Sequence, residues 1–192
     1  IEVILVNDCS PDEKDEDICL YFVNKDNRFK YLKQQQNTRQ GGARNTGIQA
    51  ATSKLVGFVD SDDWIDKDTY QSAINKLTKE DADIVTYGYR RVGVNNKRLS
   101  TDRFLRMSKT VTPEDNIYNL YNPSCWNKIF KKELFTKNNI WFPEKIKHED
   151  LATMPRIAAS AKKICYRPYS YYNYTQQQES TNFSIEYKNI DN

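Results

Sequence analysis

Leu55-Val56-Gly57-Phe58-Val59-Asp60-Ser61-Asp62-Asp63-Trp64 is an apolar run that ends in three carboxylates within four residues. Valine and phenylalanine suit a strand buried on both faces, and a parallel α/β sheet binds ligands just beyond the carboxyl ends of its strands. Carboxylates placed there call for a hard divalent cation, Mn²⁺ or Mg²⁺. Such an ion takes one or two protein carboxylates and fills its other positions with water and substrate phosphates. The plainer alternative is that Ser61 and Asp63 cap a following helix. A second chemical stretch is the loop Gln36-Asn37-Thr38-Arg39-Gln40-Gly41-Gly42-Ala43-Arg44-Asn45-Thr46-Gly47. Gly41 and Gly42 permit close backbone approach, the helix start that follows favours anions, and Arg44 is placed to neutralise a phosphate. Here the alternative is a flexible turn with Arg44 facing solvent. Two further acidic sites stand at element ends: Asp8 after the first apolar run, and Glu149-Asp150 behind the only histidine, His148.

The elements that must position these groups alternate. Ile1–Val6 reads as a strand, closed by the turn formers Asn7-Asp8-Cys9-Ser10-Pro11-Asp12. A helix is expected from the acidic segment Asp12–Asp17 to about Val23, a strand at Phe29–Leu32, a helix at Ala43–Ala51 and a strand at Leu55–Val59. Parallel pairing would then bring Asp8 and Asp60/Asp62 to one edge. Beyond Trp64 the pattern predicts a helix over Lys67–Thr78, a strand over Asp83–Tyr89 and an irregular connection over Arg90–Arg106. Thr112-Pro113-Glu114-Asp115 reads as a helix start. Further helices are expected at Lys131–Asn138 and Leu151–Ala161, then a tyrosine-rich strand at Cys165–Tyr174 and a polar tail from Gln176. The rhythm is that of a three-layer α/β/α sandwich with a mostly parallel central sheet.

The 192 residues suit a single domain, with residues 1–89 and 90–175 as its halves and 176–192 as its tail. A net charge of +3, from 29 basic and 26 acidic residues, argues against a nucleic-acid partner. The basic stretch Lys128–Lys147 reads as a solvated face, or as a weak contact with an anionic membrane surface. No run approaches a spanning helix and no signal peptide opens the chain, so it reads as soluble or peripheral. Cys9, Cys19, Cys125 and Cys165 form no C-x-x-C pair and read as free thiols. One histidine cannot supply a zinc pair, and nothing near Ser124 or Cys125 marks an activated nucleophile.

Taken in order, these stretches resemble the family 2 inverting glycosyltransferases of the A-type, Rossmann-like fold. Val6–Asp12 resembles the family's strand-end element, Asn37–Gly47 its loop, and Phe58–Asp63 its F-x-D-S-D-D signature. Trp126-Asn127-Lys128, Phe142-Pro143-Glu144 and His148-Glu149-Asp150 resemble its acceptor-side segment, and Tyr172, Tyr174 and Ser180 its closing stretch. The resemblance implies that Asp8 meets the uracil or ribose of a UDP-sugar, that Asp60 binds the ribose, and that Asp62 holds the metal bridging the diphosphate. Asp63, also counted in the nucleotide-sugar site, would back the metal ligand or cap the following helix, and Arg44 would meet a donor phosphate. Asp150 would be the general base, with Glu149 as the alternative or an orienting group, and inversion would follow from one displacement. Trp126 would stack on an acceptor sugar, although a core position suits it equally; His148 is a weaker acceptor-side candidate. The implied acceptor is a saccharide or a lipid-linked saccharide in cell-surface polysaccharide synthesis. The implied setting is the cytoplasm, with peripheral contact at the inner membrane face.

Arg39 and Gly41 stand where the family commonly has glycine and serine, and Asn7 where an aspartate is common. Family members also begin with a further strand upstream of the segment matching Ile1. Two rival readings are a non-catalytic nucleotide- or sugar-binding module of the same fold and a metal-dependent nucleotidyltransferase. The latter would lean on a lysine-bearing phosphate loop that the sequence lacks.

Overall fold

Apolar side chains alternate along three central strands and so sort themselves onto the two faces of one sheet. The computed structural model describes residues 1–93, 97–101, 110–112 and 123–176. Strands β5 (Ile84–Gly93), β7 (Lys128–Lys131) and β8 (Ile164–Gln176) form its centre. Ile84, Phe130, Ile164 and Tyr166 point to one face, and Val85, Tyr87, Ile129, Cys165 and Tyr172 to the other. This is the period-two rule of a sheet covered on both sides. Helices α2 (Arg39–Ala50), α4 (Glu133–Thr136) and α5 (Glu149–Ser160) supply Ile48, Leu134, Phe135, Met154 and Ile157 to the first face. Helix α3 (Thr69–Glu80) covers the second with Ala73 and Leu77. The three layers and the α/β class expected from the sequence are present.

The sheet order is β3 (Leu55–Gly57), β7, β5, β8, β4 (Trp64–Ile65), with β6 (Arg98–Thr101) on β5. β5 and β8 run parallel, whereas β3–β7, β7–β5, β5–β6 and β8–β4 are antiparallel. The sheet is therefore mixed, with β7 entering against both of its neighbours. β1 (Val3–Asn7) and β2 (Phe29–Lys33) make a separate parallel pair, joined through α1 (Glu13–Lys25). Helix α1 starts where expected: Asp12 accepts from the Lys14 N–H at 3.0 Å, and Glu13, Asp15 and Glu16 fill its positive end. The Glu2 carboxylate accepts from the Thr52 and Ser53 N–H groups at 2.7 and 3.0 Å, tying β1 to the turn before β3.

Several boundaries differ from the sequence reading. The strand expected at Leu55–Val59 is shorter and, among the described residues, pairs only with β7, so Val59 is exposed rather than buried. The helix expected over Lys131–Asn138 shrinks to α4, because Lys131 completes β7. The irregular connection expected from Arg90 is strand as far as Gly93, where long β8 pairs with it throughout. Its remainder, apart from 97–101, lies outside the described residues, as do the helix start after Thr112 and the tail after Gln176.

Candidate active site

One face of α2 organises the site. Gly41, Arg44, Asn45 and Ile48 recur at helical spacing, and the expected loop is already helix from Arg39 onward. Asn45 clamps the backbone of Phe142: its Nδ2 donates to Phe142 O at 2.8 Å, and the Phe142 N–H donates back to Oδ1 at 2.9 Å. The Lys145 N–H donates to Thr38 O at 2.9 Å. Gly41 marks the closest approach, since a Cβ there would lie 2.1 Å from Pro143 O. Gly41→Ala is accordingly expected to cost about 1–3 kcal/mol, the usual penalty of overpacking. Urea unfolding should show the loss as a lower midpoint at unchanged slope.

From this face Arg44 reaches in two directions. Its Nη2 donates to Asp60 Oδ1 at 2.8 Å, and its Nη1 pairs with Glu149 Oε1. The Arg44 side chain is 9% exposed and that of Glu149 4%. The ring of Phe142 lies 5.6 Å from the guanidinium carbon. Burial works against the charge, while Cys125, Asp60 and Glu149 work for it and hold Arg44 firmly protonated. Burial pushes the Cys125 thiol up to about 12, so it is neutral near pH 7 and the two carboxylates are the effective partners. The structure thus sets Arg44 between two acids rather than at a solvent-facing turn.

The signature turn is gripped from β8. The Asp63 N–H donates to Asp60 O at 3.1 Å, closing a tight turn. The Asp60 N–H donates to the Tyr172 hydroxyl at 3.0 Å, and that hydroxyl donates to Asp63 Oδ2 at 2.6 Å. Thr175 completes the grip, its N–H donating to Asp63 Oδ1 at 2.7 Å and its hydroxyl to Asp62 O at 2.6 Å. Burial pushes the Asp63 carboxyl up to about 6, against the hydrogen bonds from Thr175 and Tyr172 and with the charges of Asp62 and Asp60. The capping alternative for Ser61 and Asp63 fails, because β4 follows the turn and α3 begins only at Thr69. Asp62 is exposed, and among the described residues its carboxylate makes no hydrogen bond or ion pair.

Asp150 is the second residue of α5, half-buried, with Oδ1 accepting from the Leu151 N–H at 3.0 Å. Burial raises its carboxyl above the ordinary range, Glu149 adds to the rise and Arg44 opposes it. His148 sits exposed at the helix N-cap with φ 59° and no side-chain capping bond. Asp8 stands at the far end of α2, where its Oδ1 accepts from the Thr38 N–H at 2.8 Å. The link between Asp8 and Asp60 is α2, since β1 and β3 do not pair with each other. Trp126 is 9% exposed and stacks on Tyr172 and Tyr174 at 4.5 and 5.7 Å between centroids. It belongs to the core of the second face.

Sequence reasoning missed the Tyr172 hydroxyl, Thr175, Asn45 and Lys128 as parts of this site. The Lys128 ammonium is buried, donates to Ser124 O at 2.6 Å and Asn127 Oδ1 at 2.9 Å, and is pushed down to about 8 by burial against the pull of Cys125 and Asp150. Lys128 and Asn45 both stand in stretches that carry the resemblance, Trp126-Asn127-Lys128 and Asn37–Gly47, but that reading gives neither a role. Among the described residues no three histidine, cysteine or acidic side chains form a metal cage. The residues nonetheless fit a hard divalent ion of the kind that uses one protein carboxylate with phosphates and water, because Asp62 is an exposed oxygen donor without a partner there.

The three-layer fold, with carboxylates at one strand exit and a helix that begins with two acids, matches the A-type nucleotide-diphospho-sugar transferase fold of the solved structure described below. Residues 1–138 match glycosyl transferase family 2, and the chain belongs to that family. It is 29% identical to glycosyltransferase GlyA of Streptococcus pneumoniae over 185 residues, covering 91% of this chain and 26% of that protein. It is 30% identical to the poly(ribitol-phosphate) beta-N-acetylglucosaminyltransferase TarS of Staphylococcus aureus over 194 residues, covering 97% of this chain and 32% of TarS. The crystal structure of S. aureus TarS 1–349 in complex with UDP-GlcNAc superposes with a TM-score of 0.79 at 28% identity, covering 97% of this chain and 52% of that one. The chain thus spans from about a quarter to about half of the length of these relatives. The enzyme class read from the sequence is that of the family, and no helix among the described residues is long and apolar enough to cross a membrane.

Proposed function

We propose that the chain carries a metal-dependent, inverting glycosyl transfer from a UDP-sugar to a saccharide or lipid-linked acceptor in cell-surface polysaccharide synthesis, at the cytoplasmic face of the membrane. One observation carries this reading: Arg44 brings the strand-exit acid Asp60 and the helix-start pair Glu149-Asp150 to a single place from positions 16 and 105 residues away. The similarity to TarS bound to UDP-GlcNAc supports the choice of a uridine donor.

In this mechanism Asp8 and Asp60 receive the nucleoside, and Asp62 is the residue that would hold Mn²⁺ or Mg²⁺. The ion, when bound, offsets the charge building on the departing diphosphate. Tyr172, Thr175 and Asp63 keep the turn that presents Asp62 rigid, so that little reorganisation accompanies donor binding. Asp150 takes the proton of the acceptor hydroxyl as its oxygen attacks the anomeric carbon from the side opposite the leaving UDP. The new carbon–oxygen bond forms as the bond to the diphosphate oxygen breaks, and configuration inverts. Half-burial beside Glu149 raises the Asp150 carboxyl, which makes it a stronger base than a solvated aspartate.

Calorimetric titration of UDP into the protein, with Mn²⁺ and then with EDTA, tests the donor side. Binding that requires Mn²⁺ supports the reading; equal binding in EDTA, or none in either condition, overturns the assignment of Asp62.

A further inference from the structure

We infer that Arg44 is a positioning residue that fixes the spacing between the donor-side turn at Asp60 and the base-bearing start of α5, and that Glu149 is its buried counter-charge rather than a second base. This deepens the reading just given and rests on its assignment of Asp150.

Geometry carries the inference. Arg44 places separate guanidinium nitrogens on Asp60 and Glu149, which leave the protein framework at the exit of β3 and at the first residue of α5. A planar fork offers each carboxylate its own nitrogen at a fixed spacing, whereas a lysine ammonium is a point charge. The tie is backed along the whole helix face by the Asn45–Phe142 clamp and the Gly41–Pro143 contact, so the segment 142–150 rides on α2. Glu149 is sealed behind Asp150, and Thr153 closes over its backbone carbonyl at 2.8 Å. A carboxylate so buried is turned to its partner Arg44 and away from the surface where an acceptor would arrive.

Charge supplies an independent readout. The groups acting on Asp150 are Glu149 on its own helix, Arg44 from α2, and Cys125 and Lys128 from β7 and the residues before it. Glu149 disfavours the ionised Asp150 and Arg44 favours it. Removing either partner therefore moves the Asp150 titration in opposite senses, which a merely structural role would not do.

The test follows the Asp150 carboxyl carbon by NMR in the full chain labelled with ¹³C-aspartate, with Asp150→Asn to assign the signal. Glu149→Gln is expected to lower the Asp150 midpoint and Arg44→Gln to raise it. UDP release from UDP-GlcNAc should fall about 10²-fold in Arg44→Gln, the cost of roughly 1 Å of misplacement, and Arg44→Lys should recover only part of it. Should Arg44→Gln fail to fold, the nearly isosteric Glu149→Gln decides alone. An Asp150 midpoint that stays in place in folded variants overturns the inference. Wild-type protein that releases UDP from none of a panel of UDP-sugars overturns the functional reading instead, and leaves the NMR result to stand on its own.

Discussion

Asp150→Asn is expected to slow sugar transfer by about 10²–10⁴-fold, the usual contribution of a positioned general base, while UDP and Mn²⁺ bind as before. The two halves of that expectation come from different elements. Asp150 sits on α5, next to the Arg44–Glu149 pair, and among the described residues makes no hydrogen bond to the Asp60–Asp63 turn. The hydrogen bond its carboxylate accepts from the Leu151 N–H can be kept by the asparagine oxygen, so the helix start should survive. Single-turnover kinetics with a UDP-sugar, beside calorimetry with UDP alone, would separate the two effects. Turnover close to wild type in Asp150→Asn would remove the base assignment; loss of UDP binding would move Asp150 to the donor side.

Asp62→Asn should do the reverse. The Asp62 carboxylate is exposed and has no bond to lose among the described residues, whereas its backbone carbonyl is held by Thr175. Stability should therefore stay within about 0.5 kcal/mol of wild type. Metal affinity should fall by at least roughly 10–100-fold, since even residues that only support a ligand cost that much. UDP binding in Mn²⁺ should then resemble wild-type binding in EDTA. Manganese affinity preserved in Asp62→Asn would show that another group holds the ion.

The layers of the fold were legible because period-two and helical spacing record burial directly. α1, α3, β5 and α5 lie where the apolar pattern and the acidic helix starts place them. The strand at Leu55 misled because an apolar run reports hydrophobicity and not the number of neighbours, and β3 has one partner among the described residues. Asp62 and Asp150 were visible as acids at element ends. The function of Arg44 was not, because its two partners lie 16 and 105 residues away and local spacing carries no trace of either. Tyr172 was noticed for its ring, yet its hydroxyl joins Asp60 to Asp63 across more than 100 residues of sequence. Long-range polar pairs of this kind are written into the topology, and only the assembled sheet brings them together.

The central claim is that a sugar leaves UDP at this site. The most direct measurement is UDP release from a panel of UDP-sugars by the full chain in Mn²⁺, with Asp150→Asn alongside and pyrophosphate assayed in parallel. Free UDP from the wild type, sharply reduced in Asp150→Asn and without pyrophosphate, is the predicted result. Metal-dependent UDP binding with no release from any donor would identify a binding module, and pyrophosphate in place of UDP would identify nucleotidyl transfer; either contradicts the account.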